Sequence, residues 1–77
     1  SGKFSGMTFV LTGTLSSMSR DEAKDRIKKM GGSVSSSVSK LTSYVVVGDL
    51  PGEKFAEAQR LGVKVLYEKD FLDILGK

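Results

Sequence analysis

Cysteine, histidine and tryptophan are absent from this sequence. Without the first two there are no disulfides, no zinc fingers, no thiol nucleophile and no imidazole base. Hydrolytic triads of the usual kind go with them. No glycine-rich loop ends in Gly-Lys-Ser/Thr, which excludes a Walker-type nucleotide site. No apolar run approaches the roughly 20 residues of a membrane-spanning helix, so no membrane association is expected. The opening Ser1-Gly2-Lys3 is not followed by a signal-peptide core, and Ser1-Gly2 reads as a cloning remnant. The lack of cysteine fits a reducing compartment, and a cytoplasmic location is expected.

What remains is a chain of 77 residues, read as a single domain over residues 1–77. A chain this short buries only about 60% of the surface its unfolded form exposes. With no disulfide available, packing and regular structure must supply its stability. Twelve Lys and Arg against nine Asp and Glu leave a net charge of +3. That mild excess permits nucleic-acid binding without demanding it.

Met7-Thr8-Phe9-Val10-Leu11-Thr12 is nearly all apolar, β-branched or aromatic, as in a strand buried on both faces. Gly13 ends it. Ser19-Arg20-Asp21-Glu22 reads as a capping box, with Ser19 capping a helix and Glu22 reaching back. Ala23, Ile27 and Met30 follow as one apolar stripe, and Gly31-Gly32 stops the helix. Glu22 with Arg26, and Asp25 with Lys29, are i,i+4 pairs on its wet face. Ser33 to Ser39 holds five serines, but Val34 and Val38 interrupt the run, so it reads as a short strand (Ser33-Val34-Ser35) and a turn. Tyr44-Val45-Val46-Val47 is a third strand. A loop from Gly48 to Gly52 carries the one proline, Pro51. A second helix runs from about Glu53 to Leu61, with Phe55, Ala58 and Leu61 inward and Gly62 as its stop. Val63-Lys64-Val65-Leu66 is the fourth strand. Glu68 to Leu75 is a last helix that packs back through Phe71, Leu72 and Leu75.

The order β-α-β-β-α-β-α indicates an α/β fold, a parallel sheet with right-handed crossovers. With strand 3 on the far side of strand 1, the sheet order is 2-1-3-4. Helices 1 and 3 then cover one face and helix 2 the other. The winding reverses between strands 1 and 3, and ligands of open α/β sheets bind outside the carboxyl ends of the strands at such a point.

Thr12-Gly13-Thr14 lies there. Gly13 allows close backbone approach to a ligand, and Thr12 offers a hydroxyl and an N–H; a plain strand-ending turn explains the same residues. Arg20 falls in the first turn of helix 1, where a cation is unfavourable by roughly 0.3–1 kcal/mol. An anion arriving at that end reverses the argument. Lys54 repeats the pattern in helix 2. Each has an alternative as a solvated side chain or as the partner of a neighbouring carboxylate such as Asp21 or Glu53. Lys24, Arg26, Lys28 and Lys29, with Lys40, Lys64 and Lys69, read as surface. Asp49, Glu53 and Glu57 have no spacing that marks a metal site. Phe9, Phe55 and Phe71 fall on core positions, whereas Phe4, Tyr44 and Tyr67 do not declare themselves.

Phe9-Val10-Leu11-Thr12-Gly13-Thr14-Leu15, Ser19-Arg20-Asp21-Glu22-Ala23, Gly31-Gly32 and Val38-Ser39-Lys40-Leu41-Thr42-Ser43-Tyr44-Val45-Val46 together resemble a BRCT domain, over about Phe4 to Leu75. Pro51-Gly52-Glu53-Lys54 and Glu68-Lys69-Asp70-Phe71-Leu72 are similar to the C-terminal BRCT domain of bacterial NAD-dependent DNA ligases. Many BRCT domains have a tryptophan in the last helix; Phe71 occupies the comparable place here. That departure is compatible with the ligase group and with the clamp-loader large subunit.

The resemblance implies a three-layer fold and a non-catalytic module within a ligase that uses NAD and magnesium in other domains. Its implied partners are DNA, at nicks or 5′-phosphorylated ends, and the other domains of that ligase; the module itself is expected to be monomeric. Thr12, Gly13 and Lys54 match the phosphate-binding positions of phosphate-binding BRCT domains, and Arg20 matches the arginine of the clamp-loader type. A phosphopeptide- or protein-binding role and a purely interdomain docking role stand beside the DNA reading.

Overall fold

The structure is a computed structural model that describes residues 2–76; Ser1 of the Ser1-Gly2 pair lies outside them. The elements run β1 (Thr8–Thr12), α1 (Arg20–Lys29), β2 (Ser33–Ser35), β3 (Tyr44–Val47), α2 (Glu53–Leu61), β4 (Lys64–Tyr67) and α3 (Glu68–Leu75). The sheet has four strands in the order β2-β1-β3-β4. Every pairing is parallel, as the alternation of strands and helices implies.

The two central strands are buried on both faces, and their alternation divides the core. Phe9, Leu11 and Val46 face one side with Ala23 and Ile27 of α1 and Phe71 and Leu75 of α3. Val10, Val45 and Val47 face the other with Ala58 of α2, against which Phe55, Val63 and Val65 pack. Helices α1 and α3 therefore share one face and α2 covers the other. Phe4 also belongs to the core, buried with its ring centroid 4.9 Å from that of Phe9. Nothing in the spacing announces this, because Phe4 reaches the core through a turn in which its N–H donates to the Met30 carbonyl. No helix among the described residues is long and apolar enough to cross a membrane.

Three local details differ from the sequence reading. Met7 is not in β1, because its N–H donates to the Phe4 carbonyl at 2.9 Å and belongs to that turn. The fourth strand begins one residue late, at Lys64. Val63 instead closes α2, with its N–H on the Ala58 carbonyl at 2.8 Å behind a left-handed Gly62 at φ 73°. This is a Schellman stop, and the Val63–Ala58 contact is its usual apolar companion. The capping box is half formed. The Ser19 hydroxyl accepts the Glu22 N–H at 3.1 Å, but the Glu22 carboxylate pairs forward with Arg26 at 3.1 Å.

Glu68 does what Glu22 does not. At the first position of α3 its carboxylate accepts the N–H groups of Ser16 and Ser17, at 3.0 and 2.8 Å, and both hydroxyls. The clamp ties α3 to the loop that leads into α1. Hydrogen bonds to the ionised form favour it, the Ser16 N–H foremost, and they lower the Glu68 pKa from 4.5 to about 2. A depressed acid contributes stability above its unfolded pKa and loses it as pH falls toward the folded one. Glu68 therefore supports the fold above pH 4.5 and withdraws that support between there and about pH 2. Thermal melts of Glu68→Gln and wild type should differ most at neutral pH and converge across that window; parallel curves would show that the clamp carries no charge-dependent stability.

Candidate functional site at the switch between the central strands

Parallel pairing of β1 with β3 sets the carboxyl ends of both strands side by side, and the loops that leave them are joined. Thr14 and Asp49 exchange backbone hydrogen bonds of 2.8 and 2.7 Å, and the Gly48 N–H donates to the Thr12 carbonyl at 2.9 Å. Gly13 permits this with φ 80° and no side chain: a Cβ there would lie 2.7 Å from the Asp49 carbonyl oxygen. A Cβ on Gly48 would lie 2.5 Å from the Thr14 carbonyl oxygen. What Gly13 approaches closely in the structure is thus the neighbouring loop.

Thr12 is buried, and its Oγ1 accepts the N–H of Gly52 at 3.2 Å. Gly52 is the N-cap of α2, so one hydroxyl at the end of β1 fixes the entry of the helix that carries Lys54. A hydroxyl that accepts one hydrogen bond keeps its own proton to donate. Arg20, the first residue of α1, is exposed and lays Nη2 on the Gly13 carbonyl at 3.2 Å. That bond holds the planar head near the strand end and leaves most of its five N–H donors uncommitted. Thr12, Gly13, Arg20 and Lys54 line one open groove with Thr14, Leu50, Gly52 and one acid, Glu53.

Neither cation of this groove is ion-paired among the described residues, although Glu53 lines it with them. The ion pairs among the described residues are Arg26–Glu22, Lys29–Asp25 and Arg60–Glu57. Two are the i,i+4 pairs legible on α1. Asp21 and Glu53, the carboxylates nearest in sequence, form no ion pair with Arg20 or Lys54. Both cations stand in the first turn of a helix, where the dipole disfavours them and favours an anion. No group of three metal-ligating side chains gathers among the described residues.

The structure adds residues that the sequence reading assigned to the plain surface. Lys24 is half-buried and lines a second polar depression with Ser35 and Ser36, and Arg20 and Lys54 border this one too. The i,i+4 spacing of Arg20 and Lys24 was a visible signal. The serines had none, since the pairing of Ser35 with Val10 alone brings them there. Leu50 is 85% exposed at φ 53°, a conformation that costs a side chain of its size strain. By contrast Lys40, Lys64 and Lys69 are exposed and line none of these depressions.

A parallel β2-β1-β3-β4 sheet with helices on both faces, and with Arg20 and Lys54 lining a groove at its switch point, defines a small α/β module. The chain belongs to the BRCA1 C Terminus (BRCT) domain family, whose model matches residues 1–75. It is similar to DNA ligases of bacteria: 58% identical over 69 residues to that of Carboxydothermus hydrogenoformans and 59% over 71 residues to that of Acidithiobacillus ferrooxidans. These matches cover 90% and 92% of this chain but only 10% and 11% of the ligases. The chain thus spans about a tenth of the length of the curated relatives it matches. The first BRCT domain of the DNA-repair protein XRCC1 shares the fold, with a TM-score of 0.74 at 18% identity over 94% of this chain and 55% of that one.

Proposed function

We propose that this domain is the DNA-end-binding module of a bacterial NAD-dependent DNA ligase, and that its groove takes the terminal 5′-phosphate at a nick or recessed end. One observation carries this reading. Thr12 and Gly13 at the end of β1, Arg20 of α1 and Lys54 of α2 line a single groove, and neither cation forms an ion pair among the described residues although Glu53 lines the groove with them. Arg20 offers two parallel donors to two phosphate oxygens. Lys54 adds a mobile point charge, and the Thr12 hydroxyl and backbone N–H groups supply neutral donors. Such a site positions the duplex and reads no sequence. The adenylating chemistry, with NAD and magnesium, falls to other domains of the ligase, which this module also contacts.

The test is fluorescence anisotropy at fixed salt with matched duplexes ending in 5′-phosphate or 5′-hydroxyl. The 5′-phosphate duplex is expected to bind more tightly, with the logarithm of the affinity falling linearly with log salt as counterions are released. Equal binding of the two duplexes would end the end-recognition reading. Tighter binding of a phosphoserine peptide than of the phosphorylated duplex would transfer the groove to a protein partner.

A further inference from the structure

Arg20 and Lys54 form a wall between two depressions. On one side lie Thr12 and Gly13; on the other lie Lys24, Ser35 and Ser36. We infer that the second depression is a subsite for the next phosphate along the same DNA strand, with Lys24 as its cation and the Ser36 hydroxyl as a neutral donor. The inference rests on the end-binding reading above.

Lys24 follows Arg20 by four residues on α1, which puts their Cβ atoms about 5–6 Å apart on one helix face. Long side chains from those points reach separate anions. Neither residue is ion-paired among the described residues: the ion pairs of α1 engage Arg26 and Lys29 on its other face, and Arg20 gives one donor to the Gly13 carbonyl. Ser35 shapes the opposite bank. Its Oγ accepts the Ser37 N–H at 3.3 Å and donates to the Ser37 carbonyl at 3.2 Å, a tight turn that presents Ser36 between them. No side-chain hydrogen bond of Ser36 occurs among the described residues. Hydroxyls with Lys and Arg are the usual phosphate contacts on DNA. Two adjacent cationic depressions with a shared wall fit a polymer with a charge at every nucleotide. A phosphorylated side chain fills only one.

The experiment uses a duplex whose 5′-phosphorylated strand carries a neutral methylphosphonate at its first internucleotide linkage. Lys24→Ala places the strongest helix former in α1, so folding is unaffected. Against the ordinary duplex this variant should bind about three- to fivefold more weakly and reduce the salt slope by about one. Wild type should lose a similar factor when the linkage is neutral, and Lys24→Ala should lose nothing further. Ser36→Ala should act in the same direction, and Lys28→Ala, an exposed residue one turn further along α1 that lines neither depression, should bind like wild type. Two results overturn the subsite: full sensitivity of Lys24→Ala to the neutral linkage, or losses by Lys28→Ala equal to those of Lys24→Ala. If either occurs while wild type still prefers 5′-phosphate over 5′-hydroxyl, the subsite alone fails. If that preference is absent, the end-binding reading falls with it.

Discussion

Gly13→Ala is expected to remove a large part of this domain's stability. Two separate penalties meet at that position. The first is conformational: at φ 80° a Cβ crowds its own carbonyl at a cost of roughly 1–2 kcal/mol. The second is steric and belongs to the fold. The new methyl would lie 2.7 Å from the Asp49 carbonyl oxygen and 2.9 Å from the Gly48 carbonyl carbon. Both are backbone atoms that move only if the loops part. Parting them breaks the reciprocal Thr14–Asp49 hydrogen bonds, each worth about 1 kcal/mol. The total is about 3 kcal/mol, against a stability of about 0.05–0.15 kcal/mol per residue. At roughly 4–8 °C per kcal/mol for a domain of this size, the melting temperature should fall by more than about 10 °C. Gly6→Ala separates the two penalties. Gly6 has φ 79° but no atom within 4 Å of its added Cβ, so it registers strain without collision. Urea or thermal melts should place Gly13→Ala well beyond Gly6→Ala. Equal losses would mean that the two loops yield easily and that the strand ends are not held together there.

The same contact explains why the site was only partly legible in the sequence. Local patterns go a long way toward the fold. Two largely apolar strands, a Ser19 cap, glycine stops at Gly31 and Gly62 and the strand–helix alternation indicate a parallel sheet; the order β2-β1-β3-β4, and the helical faces with it, follow once strand 3 is set on the far side of strand 1. Where the reading slipped, at Met7 and Val63, a backbone N–H had gone to a nearby turn or helix end instead of the sheet. Contacts between distant residues left no such trace. The Glu68 carboxylate reaches Ser16 and Ser17 across more than 50 residues, and glutamate, serine and serine at that separation have no periodicity. Phe4 and the Ser35–Ser36 bank of the second depression were hidden for the same reason. Arg20 and Lys54 were legible because a cation in the first turn of a helix runs against the dipole, and a local conflict of that kind points to a ligand more readily than any agreement does. Lys24 raises no such conflict, and in the sequence it reads as surface.

Arg20→Ala and Lys54→Ala are expected to have the largest effects on binding. A charge-assisted hydrogen bond is worth roughly 1.5–3 kcal/mol, and the open groove lowers that because salt screens exposed charge. Arg20→Ala should be the more damaging, since it removes a bidentate donor where Lys54→Ala removes a point charge. If both residues hold one phosphate, the double variant should lose less than the two single losses combined. Lys64→Ala and Lys69→Ala, which remove the same unit of charge outside the groove, should change little. The decisive measurement is the ratio of affinities for 5′-phosphate and 5′-hydroxyl duplexes, taken by anisotropy at one salt concentration for wild type, both single variants and the double. A preference for the phosphate in wild type that disappears in the Arg20→Ala/Lys54→Ala double variant, while hydroxyl-ended DNA still binds, is the expected result. A ratio that survives the double substitution, or that falls equally with Lys64→Ala and Lys69→Ala, would contradict a phosphate site at the switch point.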